Sequence, residues 1–374
     1  MNFINEELIK LKEEGLYRFL RNMDNTFLNF SSNDYLCLSN NEDVINYSIL
    51  GLKKYGFGST GSRLTSGNIN HNILEKEISD FKGTESALLF SSGYATNVGV
   101  ISTLCKKGDL ILSDELNHAS IIDGCRLSKS DVLIYKHNSV ENLEYLLEKN
   151  YKNYDNIFII TDGVFSMDGD ISPMDKIKKL SDEYNCQIII DDAHGTGVLG
   201  KNGRGTLEHF NITNYDNIIQ IGTLSKAFGG LGGFVCGDEA LIEYLINKCR
   251  SFIYSTALPP SIVCGCIKSL EIIKEGKLLK KLKNNINIAN NIFKNHNFIN
   301  KEQITPIYPF IFGKYAMNIA EQLINNYGIY CVGIRYPTVP KGTERLRVSI
   351  NVSHNREDFK ELSNAINEIM EKNR

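Results

Sequence analysis

The stretch 217–237, NIIQIGTLSKAFGGLGGFVCG, decides how this chain is read. Two apolar runs, NIIQIG and GGFVCG, have the length and composition of buried β-strands. Between them a small polar turn presents one lysine, Lys226, and then dissolves into glycines. A lysine at a strand end among small residues can lose part of its water, which lowers its pKa and makes the amine a nucleophile toward carbonyl carbon. A solvated loop lysine is the plainer alternative, so the surroundings have to decide.

Working outward, short apolar runs recur at SALLF (86–90), DLILSD (109–114), DVLIY (131–135), NIFIITDGVF (156–165) and CQIIIDDAH (186–194). Helix-type patterns such as VENLEYLLEKN and PMDKIKKLSDEY lie between several of them. With the two runs around Lys226 this predicts an α/β domain with a mostly parallel seven-stranded sheet. Ligands of such sheets bind beyond the C-terminal ends of the strands. After YSTALPP (254–260) the pattern changes to a long helix-like segment (261–295), then TPIYPFIFG, MNIAEQLINNYG, RLRVSINVS and a final helix. The expected division is an N-terminal segment (1–42), a large α/β domain (43–256) and a smaller C-terminal α+β domain (257–374).

Composition excludes several functions. Lys and Arg number 41 against 44 Asp and Glu, a net charge of −3 that gives no pull toward nucleic acid or an anionic membrane. No run of about 18 apolar residues occurs and the N-terminus has no apolar signal core, so the expected location is cytoplasmic. The nine cysteines are scattered without a CxxC pair, which fits free thiols better than disulfides or zinc. GFGSTG (56–61) and GTGVLG (195–200) match G-x-G-x-x-G, but neither sits between a strand and a helix as a dinucleotide site requires.

The strand-end motifs carry the chemistry. DDAH (191–194) follows a run of isoleucines. A strand-terminating turn or a metal site would explain that motif alone; a pyridoxal phosphate (PLP) site explains it together with Lys226. Such a site needs a lysine to hold the aldehyde and a carboxylate, here Asp191, to keep the ring nitrogen protonated. His194 is placed to hydrogen-bond the ring's phenolic oxygen. SSGYATN (91–97) leads from a strand into an apolar helix, so the N–H groups of Gly93 and Tyr94 face a phosphate at a helix N-terminus. Thr223 and Ser225 add hydroxyls, and His118 in DELNHASIIDG has the ring to stack on the cofactor, although alone it reads as a turn histidine.

SSGYATN, DELNHASIIDG, TDGVFSMDGD, DDAHGTGVLGKNGRG, GTLSKAFGG and YSTALPP, in this order, resemble the α-oxoamine synthases. These are fold-type I PLP transferases that condense an amino acid with an acyl thioester and lose CO2, and the similarity runs from NFSSNDYLCLS to RLRVSINVSH. The resemblance implies that Lys226 holds the cofactor and shuttles a proton, that Asp191 and His194 serve the ring, and that His118 stacks on it. Ser166 would lie beside the cofactor, with Gly93, Tyr94 and Thr223 at its phosphate. Ser255 or Thr256 would reach the phosphate of a neighbouring subunit, implying a homodimer with shared active sites. Asn33 and Arg347, in preference to Arg345, would hold the substrate carboxylate, and Arg18 would meet the acyl chain. SSGYATN, DDAHGTG and YSTALPP stand where glycine C-acetyltransferases read SSCFDAN, DDSHAVG and FSNSLAP, which implies L-alanine and a pimeloyl thioester of coenzyme A or acyl carrier protein as substrates. The alternatives that stay open are glycine C-acetyltransferase, with the same chemistry on other substrates, and an aminotransferase or lyase of the same fold. Two departures stand out: Cys37 and Thr60 occupy positions where the family commonly has glycine.

Overall fold

The structure, a computed structural model, describes residues 2–20, 26–294, 296, 298–299 and 302–372. Its strands are β1 (Leu28–Asn29), β2 (Ser86–Phe90), β3 (Leu110–Asp114), β4 (Asp131–Tyr135), β5 (Ile157–Asp162), β6 (Gln187–Asp191), β7 (Ile218–Thr223) and β8 (Gly233–Gly237). They continue as β9 (Ile307–Ile311), β10 (Ile329–Tyr330), β11 (Val332–Ile334) and β12 (Arg345–Ser349). The large sheet has seven strands in the order β2-β8-β7-β6-β5-β3-β4, and only β8 runs against the rest. It is the α/β sheet the sequence predicts.

Why the central strands are continuous apolar runs follows from their two covered faces. In β6, Ile188 and Ile190 pack on one side with Leu147, Ile159 and Ile177, while Ile189 packs on the other with Val100, Ile121 and Ile221. Each such side chain, removed fully from water, contributes about 1.5–3 kcal/mol. Parallel strands joined by covering helices end at one edge, so Phe90, Asp114, Asp162, Asp191 and Thr223 all lie at the same edge of the sheet.

A second core surrounds the antiparallel sheet β11-β12-β9, where Phe310, Leu346 and Val348 meet the helices at 277–293, 316–327 and 356–372. The expected helix over 261–295 is two helices, Pro260–Lys274 and Lys277–Phe293, because Gly276 adopts φ +72 and breaks the helical path. Segment 28–36 joins the cores: β1 pairs with β10, Phe30 O accepts from Ser349 N at 2.6 Å, and Tyr35 O accepts from Val352 N at 3.0 Å. Cys37 and Thr60, the two departures from glycine, hold φ of 52 and 57, in the left-handed region that glycine enters without strain.

Behind the crevice lies a buried ion pair. Lys82, from the helix at 69–82, donates to Asp192 Oδ2 (2.8 Å), Thr196 Oγ1 (3.1 Å) and the Arg204 carbonyl (2.5 Å). Asp192 Oδ1 accepts from the Thr206 amide (3.1 Å) and hydroxyl (2.6 Å). Two glycines of GTGVLGKNGRG make room for this carboxylate: a Cβ would stand 2.1 Å from Asp192 Oδ1 at Gly195 and 1.7 Å from Oδ2 at Gly205. Lys82→Met would strand the Asp192 charge, a change that costs about 3–5 kcal/mol. Urea unfolding should show a lower midpoint at an unchanged slope, and an unchanged midpoint would refute the assignment.

Candidate active site

Lys226 sits just beyond β7 with a half-buried side chain. Its ammonium is pulled down to about 8 chiefly because burial strips its water, and Arg347 adds to that pull against the attraction of Asp191 and Asp162. The lysine of the opening motif is therefore partly desolvated, unlike a solvated loop residue.

Asp191 ends β6 and Asp162 ends β5, paired in register. Asp191 Oδ2 accepts from Asn97 Nδ2 at 2.6 Å and Oδ1 from the Ala193 amide at 2.9 Å, which fixes the plane of the carboxylate. Asp162 belongs to the site but was not singled out by sequence reasoning. Its Oδ2 accepts the His118 amide at 2.7 Å, and burial followed by the neighbouring Asp191 charge pushes its carboxyl well up. The signal that could have found it was there: an acid closing an apolar strand beside the strand that Asp191 closes.

His118 caps the helix at 119–128. The Ser120 amide donates to its Nδ1 at 3.2 Å, so the neutral ring carries its proton on Nε2. Burial lowers its pKa, Asp191 opposes and Lys226 assists. His194 is buried, its Nδ1 is paired with the Tyr35 hydroxyl at 2.7 Å, and burial with Lys226 and Arg347 holds it neutral, far below its ordinary range. Tyr35 is a second residue that sequence reasoning did not single out; it also donates to Asn33 Oδ1 at 3.3 Å.

The two arginines of β12 differ in what remains unspent. Arg345 is bound to Asp168, the Thr343 carbonyl (2.9 Å) and the Met167 carbonyl. Arg347 gives Nε to the Ser166 carbonyl and Nη1 to Asn33 Oδ1 (3.0 Å) and Ser349 Oγ (2.7 Å), while its buried Nη2 has no partner among the described residues. A guanidinium N–H left unpaired in the interior is costly unless a ligand completes it.

Gly93 opens the helix at 93–104, capped by Ser92 Oγ on the Ala95 amide at 3.1 Å. A Cβ on Gly93 would reach Thr223 at 3.4 Å, and one on Gly233 would stand 2.7 Å from the Gly93 amide, so the helix N-terminus, β7 and β8 form a cradle that only small residues leave open. Thr223 Oγ1 bonds Ser225 Oγ at 2.7 Å, and Tyr94, exposed, donates to Asp123. Ser166 is half-buried at the turn after β5. Ser255 and Thr256 lie in a loop that lines a small recess with Phe90 and Ser91, and this loop is tied to the 59–61 loop by Ala257 N to Gly61 O at 2.9 Å. Arg18 is exposed, beside Tyr17, whose carbonyl accepts from Arg335 at 2.6 Å; the structure does not bring it into the hydrogen bonds of the site among the described residues.

A desolvated lysine, a fixed carboxylate, neutral histidines, a helix N-terminus and an unspent guanidinium fit PLP and the carboxylate of an amino acid. Residues 25–366 match the aminotransferase class I and II family, and the chain belongs to it. Within that class it is an α-oxoamine synthase, an acyltransferase-type enzyme that uses PLP. A protein of Methanococcus aeolicus with the provisional name 8-amino-7-oxononanoate synthase is 66% identical over 99% of this chain and 97% of its own. Among solved structures, a serine palmitoyltransferase from S. paucimobilis with bound PLP superposes with a TM-score of 0.89 at 28% identity, covering 97% of this chain and 95% of that one. An 8-amino-7-oxononanoate synthase from Francisella tularensis gives 0.80 at 33%, covering 94% and 99%.

Only the neutral amine attacks an aldehyde, so capture of PLP by the cofactor-free protein should rise with pH through about 8, well below the ordinary lysine value of 10.5. Absorbance-monitored capture at a series of pH values checks this; a midpoint near 10.5 would mean that the amine is fully hydrated.

Proposed function

We propose that this chain joins L-alanine to a pimeloyl thioester with loss of CO2 and thiol, the 8-amino-7-oxononanoate synthase reaction of biotin biosynthesis. The observation that carries the reading is the unspent Nη2 of Arg347 beside Asn33, in a site centred on a desolvated lysine. The names of the relatives support it, as do SSGYATN, DDAHGTG and YSTALPP where glycine C-acetyltransferases read otherwise.

In this proposal Lys226 would hold the cofactor aldehyde, Asp191 would serve the ring nitrogen, His194 would hydrogen-bond the phenolic oxygen, and Ser166 would lie beside the cofactor. Gly93, Tyr94 and Thr223 meet the phosphate, joined by Ser255 or Thr256 of a second copy in a homodimer. Bound PLP supplies an electron sink for negative charge at the amino acid α-carbon.

The residues then act in sequence. Arg347 and Asn33 orient the L-alanine carboxylate through charge-assisted bonds. Lys226, whose amine is about half neutral at pH 8, would take the α-proton. Asp191, its carboxylate fixed by Asn97 and the Ala193 amide, would serve the cofactor's ring nitrogen. His118 presents Nε2–H to the thioester oxygen as the α-carbon attacks and the thiol leaves. The carboxylate leaves as CO2, and Lys226 returns a proton to the carbon. Arg18 meets the acyl chain, which arrives on coenzyme A or acyl carrier protein.

Thiol release by the PLP-loaded protein, with pimeloyl-CoA or acetyl-CoA and L-alanine or glycine, tests the substrates. Release with pimeloyl-CoA and L-alanine is expected; release chiefly with acetyl-CoA and glycine would overturn the substrate assignment and leave the lysine chemistry standing. Lys226→Ala should abolish turnover. Asp191→Asn should lower kcat by about two to three powers of ten, and a variant within a few-fold of wild type would remove Asp191 from its role.

A further inference from the structure

We propose that His137 is a positioning residue for the substrate carboxylate: it clamps the turn at 163–170 to the ends of the large sheet, and that turn aims Arg347. The inference rests on the reading of Arg347 given above, and it concerns a histidine that the proposed chemistry does not use.

His137 lies just past β4, wedged between two carboxylates. Its Nδ1–H donates to Asp114 Oδ1 at 3.0 Å, at the end of β3, and its Nε2–H donates to Asp170 Oδ2 at 2.6 Å, in the turn after β5. Both ring nitrogens donate at once only in the imidazolium form. Burial opposes that charge, but the two acids prevail and hold the pKa up at about 10. Phe165 of the same turn meets the ring edge-on, with centroids 4.4 Å apart. Asn138 adds a donor to Asp170 Oδ2 at 2.8 Å, and Asp114 also accepts the Leu116 amide at 2.9 Å, two residues before His118.

The other side of the turn reaches β12 and its surroundings. The Ser166 carbonyl accepts Arg347 Nε, Asp168 accepts Arg345, and the Gly169 carbonyl accepts Thr305 Oγ1 at 2.7 Å. The guanidinium with the unspent Nη2 is therefore hung on a turn whose side-chain tie toward β3 and β4 is Asp170 on His137. The base of the turn is held by Gly163 N on the Asp191 carbonyl (2.7 Å) and by the buried Val164 and Phe165, while its tip at 166–168 borders open space. Phe165, Ser166, Met167 and His137 border a cavity of about 370 Å³, so a released turn has space to shift. A displacement of a fraction of an ångström at Ser166 is enough to misaim a bidentate guanidinium–carboxylate pair.

The experiment titrates the PLP-loaded protein with L-alanine, glycine and L-serine, without thioester, following cofactor absorbance; whichever amino acid responds in wild type is the probe. His137→Phe should raise its apparent Kd about tenfold or more, while PLP affinity and, in a separate thiol-release assay with thioester, kcat at saturating amino acid stay within about threefold. Asp170→Ala should behave like His137→Phe, and Asp170→Asn, which keeps an oxygen to accept Nε2–H, should stay near wild type. An unchanged Kd in folded His137→Phe, parallel loss of PLP and amino-acid affinity, or equal damage from Asp170→Asn and Asp170→Ala would each overturn the inference. If His137→Phe does not fold, the two Asp170 variants decide. A wild-type response to glycine or L-serine in place of L-alanine would fail only the substrate assignment above. No response to any of the three would remove the carboxylate role of Arg347, and this inference with it.

Discussion

The ion pair between Lys82 and Asp192, with side chains 1% and 2% exposed, is the constraint on which the site depends. Removing two charges from water costs about as much as their attraction returns, so such a pair is a poor source of net stability. What it supplies is position. Every oxygen of Asp192 is engaged, and the loop at 192–206 winds around a carboxylate that cannot turn. Successive side chains of a strand point to opposite faces, so the fixed Asp192 delivers Asp191 toward Asn97 on the other face and sets His194 against Tyr35.

On that frame the charges are arranged so that the reactive groups stay neutral. Lys226 and Arg347 are two cations in a crevice with little water, and each lowers the pKa of His194. Asp162 and Asp191 close adjacent strands, and the proximity of one charge raises the cost of the other. Burial acts on Lys226, His118, His194 and Asp162 in the same sense, against charge. The result is a lysine near its neutral point, two histidines held as neutral hydrogen-bonding groups and one acid held in a fixed orientation by an amide on each oxygen. His137 is the opposite case: it is outside the crevice, between two carboxylates, and keeps its charge.

How much of this was legible depends on whether a residue's role comes from its own segment. Lys226, Asp191, His194, His118 and Gly93 were readable because each directly follows an apolar run, and a parallel sheet sends the ends of its strands to one edge. The break in the helix expected over 261–295 was written in Gly276, but apolar periodicity passes over one glycine when there is no cap signal beside it. Asp162 and Tyr35 were missed because their importance lies in partners far along the chain, the amide of His118 and the ring of His194. Cys37 and Thr60 show the same limit: their identity was visible as a departure from glycine, whereas the left-handed backbone that makes it matter was not.

The sequence by itself determined the α/β sheet, the crevice at its strand ends and the lysine-centred chemistry, because apolar periodicity and motif order are local properties of the chain. The resemblance preferred Arg347 to Arg345, and only the tertiary structure supplies a physical reason for that preference. Both lie on β12 and both are buried, but Asp168 is close enough to one of them to consume its charge and hydrogen bonds, while the other keeps Nη2 unspent. Which donor remains available is a matter of distance between segments separated by more than a hundred residues, and no local pattern encodes it.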